Sequence, residues 1–222
     1  MIVVIQCAGS KRDGAGHLRA ADGRRVLFVA RPELAAPRAG FLFARPDDDS
    51  DRGGSWRELL LAYNQGAGTN PFGLLRAFEL YQHRVYRDLV ERFGLRNCYV
   101  LSAGWGLISA AFLTPVYDIT FSASAEDYAR RRKADLYRDF RMVPDDADGP
   151  VVFFGSKEYA PLFATVTRSV SSPKTVFYNS SQPPAAPGCV LERFQTRTRT
   201  NWQYECAAAF LRGDVLRMDS QD

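Results

Sequence analysis

The chain has 222 residues, of which 46% are apolar and 24% charged, and its formal net charge is +4. This composition is typical of a globular domain and excludes a disordered chain, a coiled coil and a collagen-like repeat. No apolar run reaches the roughly 18 residues that a membrane span needs, and the first residues include no basic leader. The sequence therefore predicts a cytoplasmic protein without a membrane span, whose four unpaired cysteines are reduced thiols.

Short apolar runs, several of them rich in β-branched residues, predict buried strands along the chain. The clearest runs cover residues 2–7, 97–102, 151–156 and 174–181. Two further runs, at 26–30 and 40–44, are compatible with a hairpin whose connection is broken by Pro32 and Pro37. The acidic, glycine-containing stretch at 45–56 predicts an exposed loop.

Helical patterns alternate with these strands. A helix is expected to begin near Ser55, and residues 72–93 carry apolar side chains at three- and four-residue spacing. A charged helix is expected at 126–141, and a last helix ends the chain. The alternation predicts an α/β fold: one domain over 1–222, with a mostly parallel central sheet flanked by helices.

Small and polar residues follow three of the predicted strands, at 7–11, 102–106 and 155–159. The carboxyl ends of parallel strands meet at one edge of a sheet, where ligands bind. Small residues let backbone N–H groups approach a ligand, and a following helix N-terminus favours negative charge. The pattern predicts a site at this edge, although each segment alone is equally compatible with an ordinary turn.

The same segments resemble a known family. The order CAGSK, LSAGWGLISAAFLTPVYDITF and FFGSKEYAPLF is similar to the YaaA-like group, which includes the DUF328 and DUF6884 proteins. The resemblance spans residues 2 to about 210, and its middle motif is the most specific. The matching positions are Lys11, Ser102, Gly104, Gly106, Pro115, Tyr117, Ser156, Glu158 and Tyr159. It implies a YaaA-like α/β fold and a role in DNA binding under oxidative stress or in nucleobase and nucleotide processing.

Cys7 departs from the YaaA-like pattern, which commonly has Ser or Pro there. Cys7 and Lys11 also resemble the Cys-x3-Lys turn of archaeosine-type enzymes, which attack the nitrile of 7-cyano-7-deazaguanine. The DpdC-type proteins of the group are thought to convert that nitrile, in DNA, to the carboxamide. The resemblance thus implies a Cys7 nucleophile assisted by Lys11, with backbone amides of Gly104 to Gly106 stabilising the developing charge. A buried structural cysteine is the alternative.

Other polar residues extend this candidate site. Asp118 is a candidate base or a turn cap, and Glu158 is a candidate proton acceptor or a first-turn helix acid. Trp105 is a candidate for stacking on a base, or a core residue. His17 is a candidate assistant of Cys7, whereas His83 is interpreted as structural. The candidate substrate-binding residues are Ser10, Ser102, Gly104, Trp105, Gly106, Tyr117, Ser156 and Tyr159.

Three functions remain open from the sequence. The first is hydration of 7-cyano-7-deazaguanine in DNA to its amide, with no cofactor. The second is DNA binding without catalysis, for which Arg193, Arg197 and Arg199 would contact phosphates if they share one strand face, although a solvated edge strand explains them equally well. The third is a nucleotide N-glycosidase that uses Glu158 or Asp118. The partner is accordingly DNA containing a modified guanine, or a nucleotide. No metal is expected, because only two histidines are present, although Cys7, His17 and another cysteine could meet in space.

Overall fold

The computed structural model describes residues 1–66, 68–196 and 200–215. The strands are β1 (Ile2–Gln6), β2 (Arg25–Val29), β3 (Phe41–Ala44), β4 (Leu75–Arg76), β5 (Cys98–Ser102), β6 (Gly106–Ser109), β7 (Leu113–Thr114), β8 (Tyr117–Asp118), β9 (Phe140–Arg141), β10 (Val151–Phe154), β11 (Lys174–Tyr178) and β12 (Val190–Arg193). The helices are α1 (Trp56–Gln65), α2 (Ala77–Leu80), α3 (Val85–Phe93), α4 (Ala160–Val166) and α5 (Trp202–Arg212). Within the described ranges, none of them has the length and apolar character needed to cross a membrane.

The central sheet contains seven strands in the order β12-β11-β10-β1-β5-β6-β9. Neighbours from β12 to β5 run parallel, β6 is antiparallel to β5, and β9 is parallel to β6. The predicted α/β domain with a mostly parallel central sheet is therefore confirmed. The apolar runs of β1 and β10 lie inside this sheet, where a strand is covered on both faces.

Successive phenylalanines on β10 show how helices cover the sheet on both sides. Phe153 stacks on Phe163 of α4, with ring centroids 4.6 Å apart. Phe154 contacts Phe210 of α5 at 5.2 Å, and Phe210 in turn stacks on Phe93 of α3. Because successive side chains of a strand point to opposite faces, α4 lies on one face and α3 and α5 lie on the other.

The hairpin prediction for residues 26–30 and 40–44 is wrong. β2 and β3 pair in parallel, and β2 also pairs with β8, forming a separate sheet of order β3-β2-β8. The connection includes a short 3₁₀ turn at Pro32–Leu34 and is long enough to cross over, whereas a hairpin needs a tight turn. The prolines that suggested a broken hairpin therefore belong to a crossover.

The helix prediction for 126–141 is also wrong, because this segment consists of turns and extended backbone before β9. Arg131, treated as part of a solvated basic face, is buried and makes two hydrogen bonds of 2.8 and 2.7 Å to Asp139. Helical residues eight positions apart would be separated by about 12 Å along the axis, which would prevent this pair. The buried ion pair thus fixes a non-helical path.

Residues 72–93 form two short helices instead of one long helix. β4 pairs with β7 and Tyr81 forms a bridge with Lys11, so tertiary pairing interrupts the helical pattern. Only the second half, α3, is a regular amphipathic helix. The interruption brings residues 81–83 to the carboxyl end of β1.

The helix expected near Ser55 is present as α1. The Ser55 side chain accepts a hydrogen bond from the Glu58 amide, and the Glu58 carboxylate accepts one from the Ser55 amide, forming a capping box. The preceding stretch at 45–56 is exposed mainly at 51–54, whereas Ser55 and Trp56 are buried. The prediction of an exposed loop therefore applies mainly to residues 51–54.

Candidate functional site

The site lies where the strand order of the central sheet reverses. From β1 the chain continues to β5, β6 and β9 on one side, and then returns to β10, β11 and β12 on the other. β1 and β10 are parallel neighbours, so their carboxyl ends open at the same edge. A crevice outside such a switch point is the usual ligand position in open α/β sheets.

A cavity of about 850 Å³ occupies this position. Its walls come from residues within the segments 6–11, 82–83, 118–125, 156–159 and 200–204. The first segment follows β1, the fourth follows β10, and the last begins α5. We call it the Cys7 cavity. Its volume lies within the range that is usual for small-molecule binding sites.

Cys7 is a free thiol in the wall of this cavity and is only 5% exposed. Its backbone amide donates to the Leu101 carbonyl at 2.9 Å, which holds the residue against β5. Its sulfur lies 3.3 Å from the Tyr159 hydroxyl. Burial, the electrostatic influence of Cys7 and the hydrogen bond with it raise the pKa of Tyr159, so this hydroxyl keeps its proton, and either atom of the pair can be the donor.

Tyr117, on strand β8, also interacts electrostatically with Cys7. Burial and the charge of Cys7 raise the pKa of Tyr117 well above its usual value, and hydrogen bonding to Cys7 adds to this effect. The Tyr117 hydroxyl also lies 2.8 Å from that of Tyr81, and a hydrogen bond with Ser102 partly lowers its pKa. Ser102 and Tyr117, predicted to bind substrate, are both fully buried, and neither lies in the cavity wall.

Lys11 places an amine beside Tyr117. Its Nζ lies 4.3 Å from the centre of the Tyr117 ring and donates at 3.4 Å to the carbonyls of Ala8 and Gly9. Burial lowers the pKa of Lys11, while the negative charges of Cys7 and Asp118 partly restore it. An amine of lowered pKa exchanges protons more readily at neutral pH than an ordinary lysine does.

The turn 102–106 is a structural element, in contrast to the prediction that it binds the ligand. The Ser102 hydroxyl accepts hydrogen bonds from the amides of Gly104 and Trp105, at 3.2 and 3.1 Å, and Gly106 pairs with Ser102 in the β5-β6 ladder. Trp105 is fully buried, with its ring 4.8 Å from that of Phe28. Because its amides are already bonded, this turn is a poor oxyanion site.

Two buried arginines hold the same turn from outside. Arg57 donates to the carbonyls of Gly104 and Trp105, and Arg131 donates to that of Ala103. Asp47 pairs with Arg57, and Asp139 pairs with Arg131. We call Arg57, Arg131 and their two aspartates the arginine clamp. It gives hydrogen-bond donors to three carbonyls of the turn and an opposite charge to each buried guanidinium group.

Free backbone donors are found at the first turn instead. Among the described residues, none accepts a hydrogen bond from the amides of the segment 8–11, and this segment lines the Cys7 cavity. Consecutive unbonded N–H groups form a concave site for a developing negative charge. They replace Gly104 to Gly106 as candidate oxyanion donors.

The cavity also collects the remaining polar candidates. Asp118, Glu158, Ser10 and Ser156 all line it, and the last three belong to the segments that the sequence places along one sheet edge. The Asp118 carboxylate accepts a hydrogen bond of 2.9 Å from Tyr128, and this bond raises the Tyr128 pKa. The Ser156 amide donates to the Gln6 side chain, tying the ends of β1 and β10 together.

Other predicted residues are located elsewhere. His17 packs against the sheet of β3, β2 and β8. Its Nδ1 lies 3.2 Å from the Val26 carbonyl, and its ring packs on Phe41. Arg193 ends β12 and is exposed. Arg197 and Arg199 lie outside the described residues, so their shared face stays a prediction. In the described part of the chain, no group of three His, Cys, Asp or Glu side chains could hold a metal ion.

Sequence reasoning missed part of the cavity wall. Gln82 and His83 line it from the segment before α3, and Gln203 and Tyr204 line it from the first turn of α5. The sequence pattern predicts His83 to be a structural residue on a long helix. The break in that helix, which places it at the cavity, had no clear signal in the sequence.

Comparisons with models of protein families, with curated proteins and with solved structures found no significant match. The YaaA-like resemblance therefore stays a prediction. The geometry of the site itself consists of a buried thiol 3.3 Å from a tyrosine hydroxyl, an amine in the same cavity wall and a row of amides without a described acceptor.

Proposed function

We propose that the protein is a hydrolase that uses Cys7 to hydrate the nitrile of 7-cyano-7-deazaguanine in DNA to the carboxamide. The observation that carries this proposal is that the Tyr159 hydroxyl lies 3.3 Å from the sulfur of Cys7, in the wall of a cavity that Lys11 also lines. A thiol supplied with a hydroxyl and a cation suits attack on an electrophilic carbon. The nitrile itself comes from the resemblance of the Cys-x3-Lys turn.

The first step forms a covalent thioimidate. The Cys7 sulfur adds to the nitrile carbon, and one π bond of the nitrile becomes an N–H bond. The Lys11 ammonium is the proton donor to that nitrogen, and the thiol proton restores the ammonium. The free amides of 8–11 stabilise the negative charge that develops on the nitrogen.

The second step returns the enzyme to its starting state. Water adds to the thioimidate carbon and gives a proton to the nitrogen, which becomes NH₂. The carbon–sulfur bond then breaks, the hydroxyl proton goes to sulfur, and the carboxamide leaves. The net change is the addition of one water, with no oxidant or reductant. Asp118 and Glu158, both in the cavity wall, are the available bases for activating that water.

The depth of Cys7 sets the form of the substrate. Cys7 is only 5% exposed as a residue, so its sulfur cannot reach a base stacked inside a duplex. The modified base must therefore leave the stack and enter the Cys7 cavity, or be presented in a single strand. Single-stranded DNA is expected to be the better substrate, because it avoids the unpairing cost of a few kcal/mol.

Incubation with an oligonucleotide that contains 7-cyano-7-deazaguanine tests this function. Mass spectrometry of the digested nucleosides should find a gain of about 18 Da, one water, with the native chain. Cys7→Ala should abolish the gain. The matched control is Cys189→Ala, which removes a half-buried thiol elsewhere and should retain full turnover.

Intact-mass analysis of the protein provides a second readout. Stopping the reaction in acid should trap the substrate on the native chain and leave Cys7→Ala unmodified. Turnover by Cys7→Ala, or the absence of any 18 Da product from single-stranded and duplex substrates, would overturn the proposal.

A nucleotide N-glycosidase is the second candidate, because Glu158 and Asp118 line the same cavity. A carboxylate there would stabilise the positive charge that develops on the sugar as the glycosidic bond breaks. Release of free base that is lost in Glu158→Gln and retained in Cys7→Ala would favour this function over nitrile hydration.

A further inference from the structure

An aromatic pair stands in the wall of the Cys7 cavity. The rings of His83 and Tyr204 are stacked, with centroids 4.0 Å apart and planes 14° from parallel. Tyr204 also meets Tyr86 edge-to-face at 6.0 Å, and Tyr86 is fully buried. The pair is therefore supported from behind by the core, and both of its rings line the cavity.

His83 is the outer member of this pair. It is exposed, whereas Tyr204 is half-buried. Because Tyr204 covers one face of the imidazole, the exposure of His83 comes from its other face and from its edge. A flat ring that is held from one side and open on the other offers a stacking surface to a planar ligand.

The hydrogen bonding of His83 fixes the polarity of its edge. The Val85 amide donates to Nδ1 at 3.2 Å, so Nδ1 is an acceptor and Nε2 carries the proton of the neutral ring. Burial lowers the pKa of His83, the charges of Arg84 and Arg87 lower it further, and Asp88 partly opposes them. The imidazole is thus held neutral, and within the described ranges no residue accepts a hydrogen bond from its Nε2–H.

We infer that His83 and Tyr204 form a stacking platform for the planar heterocycle that enters the Cys7 cavity. The identity of the bound ring, a deazaguanine, rests on the proposed function. The stacked arrangement of His83 and Tyr204 does not depend on it. A ring stacked on His83 lies among the amide side chains of Gln82 and Gln203, which also line the cavity and both donate and accept hydrogen bonds. Such neighbours can read the edge of a purine-like base.

Binding of the free base 7-cyano-7-deazaguanine to the Cys7→Ala protein tests this platform, because that variant binds without reacting. Isothermal titration should give a dissociation constant that rises about five- to a hundredfold when His83→Ala is added, as expected for the loss of one base–aromatic stack. His83→Phe, which keeps the ring face, should stay within about threefold of the parent.

His17→Ala is the matched control, since His17 contacts Phe41 in the sheet of β3, β2 and β8 and should leave binding unchanged. Equal binding by the parent and His83→Ala would overturn the inference, and so would His83→Phe binding as weakly as His83→Ala, or no binding by the parent. Base binding that depends on His83 without any nitrile hydration would defeat the proposed function and leave the platform standing. Nitrile hydration whose Michaelis constant is unaffected by His83→Ala would support the proposed function and overturn the platform.

Discussion

The Tyr159 hydroxyl lies 3.3 Å from the sulfur of Cys7. Tyr159 follows β10, whereas Cys7 follows β1, so this contact joins the ends of two neighbouring strands of the central sheet. A hydroxyl that donates to a thiolate stabilises it more than it stabilises the neutral thiol. Tyr159 therefore positions and activates Cys7 from the wall of the cavity, whereas Tyr117 is fully buried and is not expected to contact the ligand.

Tyr159→Phe tests this role at the thiol itself. Removing one hydrogen bond to a charged group is expected to lower the rate of iodoacetamide alkylation of Cys7 at neutral pH about tenfold, and to move the alkylation profile to higher pH. Tyr63→Phe is the control, because Tyr63 bonds Asn70 outside the cavity. An unchanged profile in Tyr159→Phe would contradict the assigned role.

Lys11 links the site to the pH dependence of stability. Its native pKa is lowered by burial, whereas the unfolded chain has the ordinary value of 10.5. Between these two values the unfolded state binds more protons, so the free energy of unfolding rises with pH. Below the native pKa the full cost of burying the ammonium is present.

Lys11→Met should remove this contribution. Relative to the native chain, its stability should be highest near about pH 6, and the difference should shrink as the pH approaches about 10. Urea unfolding across this range measures it, with the exposed Lys157→Met as the control. A difference that grows with pH would show that the pKa of Lys11 is raised.

At the scale of elements, the turn 102–106 depends on Arg57 and Arg131. Both guanidinium side chains are only 5% exposed, and each pairs with a carboxylate while donating to carbonyls of the turn. Glycine at 106 is required because its φ is +84° and an added Cβ would meet the Phe140 backbone at 2.6 Å. The strong middle motif of the sequence thus describes a rigid support behind the Cys7 cavity.

Arg131→Met should expose the energetic cost of breaking the arginine clamp. It leaves Asp139 buried without its partner, which is expected to lower the free energy of unfolding by about 3–5 kcal/mol. Arg130→Met, which breaks the more exposed pair with Asp127, should cost less than about 1 kcal/mol. Urea unfolding distinguishes them, and equal losses would show that the buried pair has no special role.

Elements with a strong local signal could be predicted from the sequence. The apolar runs of β1 and β10 and the capping box at Ser55 carry their own evidence within a few residues. The segment 126–141 does not, because the partner that keeps it non-helical is a tertiary ion pair between Arg131 and Asp139. The parallel pairing of β2 and β3 likewise depends on a crossover, and their sheet is completed by β8, which is remote in sequence.

At the scale of the whole molecule, the sequence predicts the part of the cavity wall that follows the parallel strands, but not the part that comes from the helices. The parallel arrangement of β1 and β10 follows from their buried, β-branched and aromatic composition, and it brings Cys7, Glu158 and Ser156 together. His83 and Tyr204 reach the same cavity only through a broken helix and the start of α5. Such long-range placement leaves no periodic signature along the chain.

The position of β1 also affects how this stretch of chain acquires its structure during synthesis. β1 is flanked by β5 and β10, whose residues are translated about 100 and 150 positions later, and the cavity is completed by residues 200–204. At about 5–20 residues per second, an apolar strand and its adjacent thiol wait about ten seconds or longer for their final neighbours. Cys7 is therefore translated long before the residues that bury it. Its sulfur is most accessible to chaperones and to oxidants in the nascent chain.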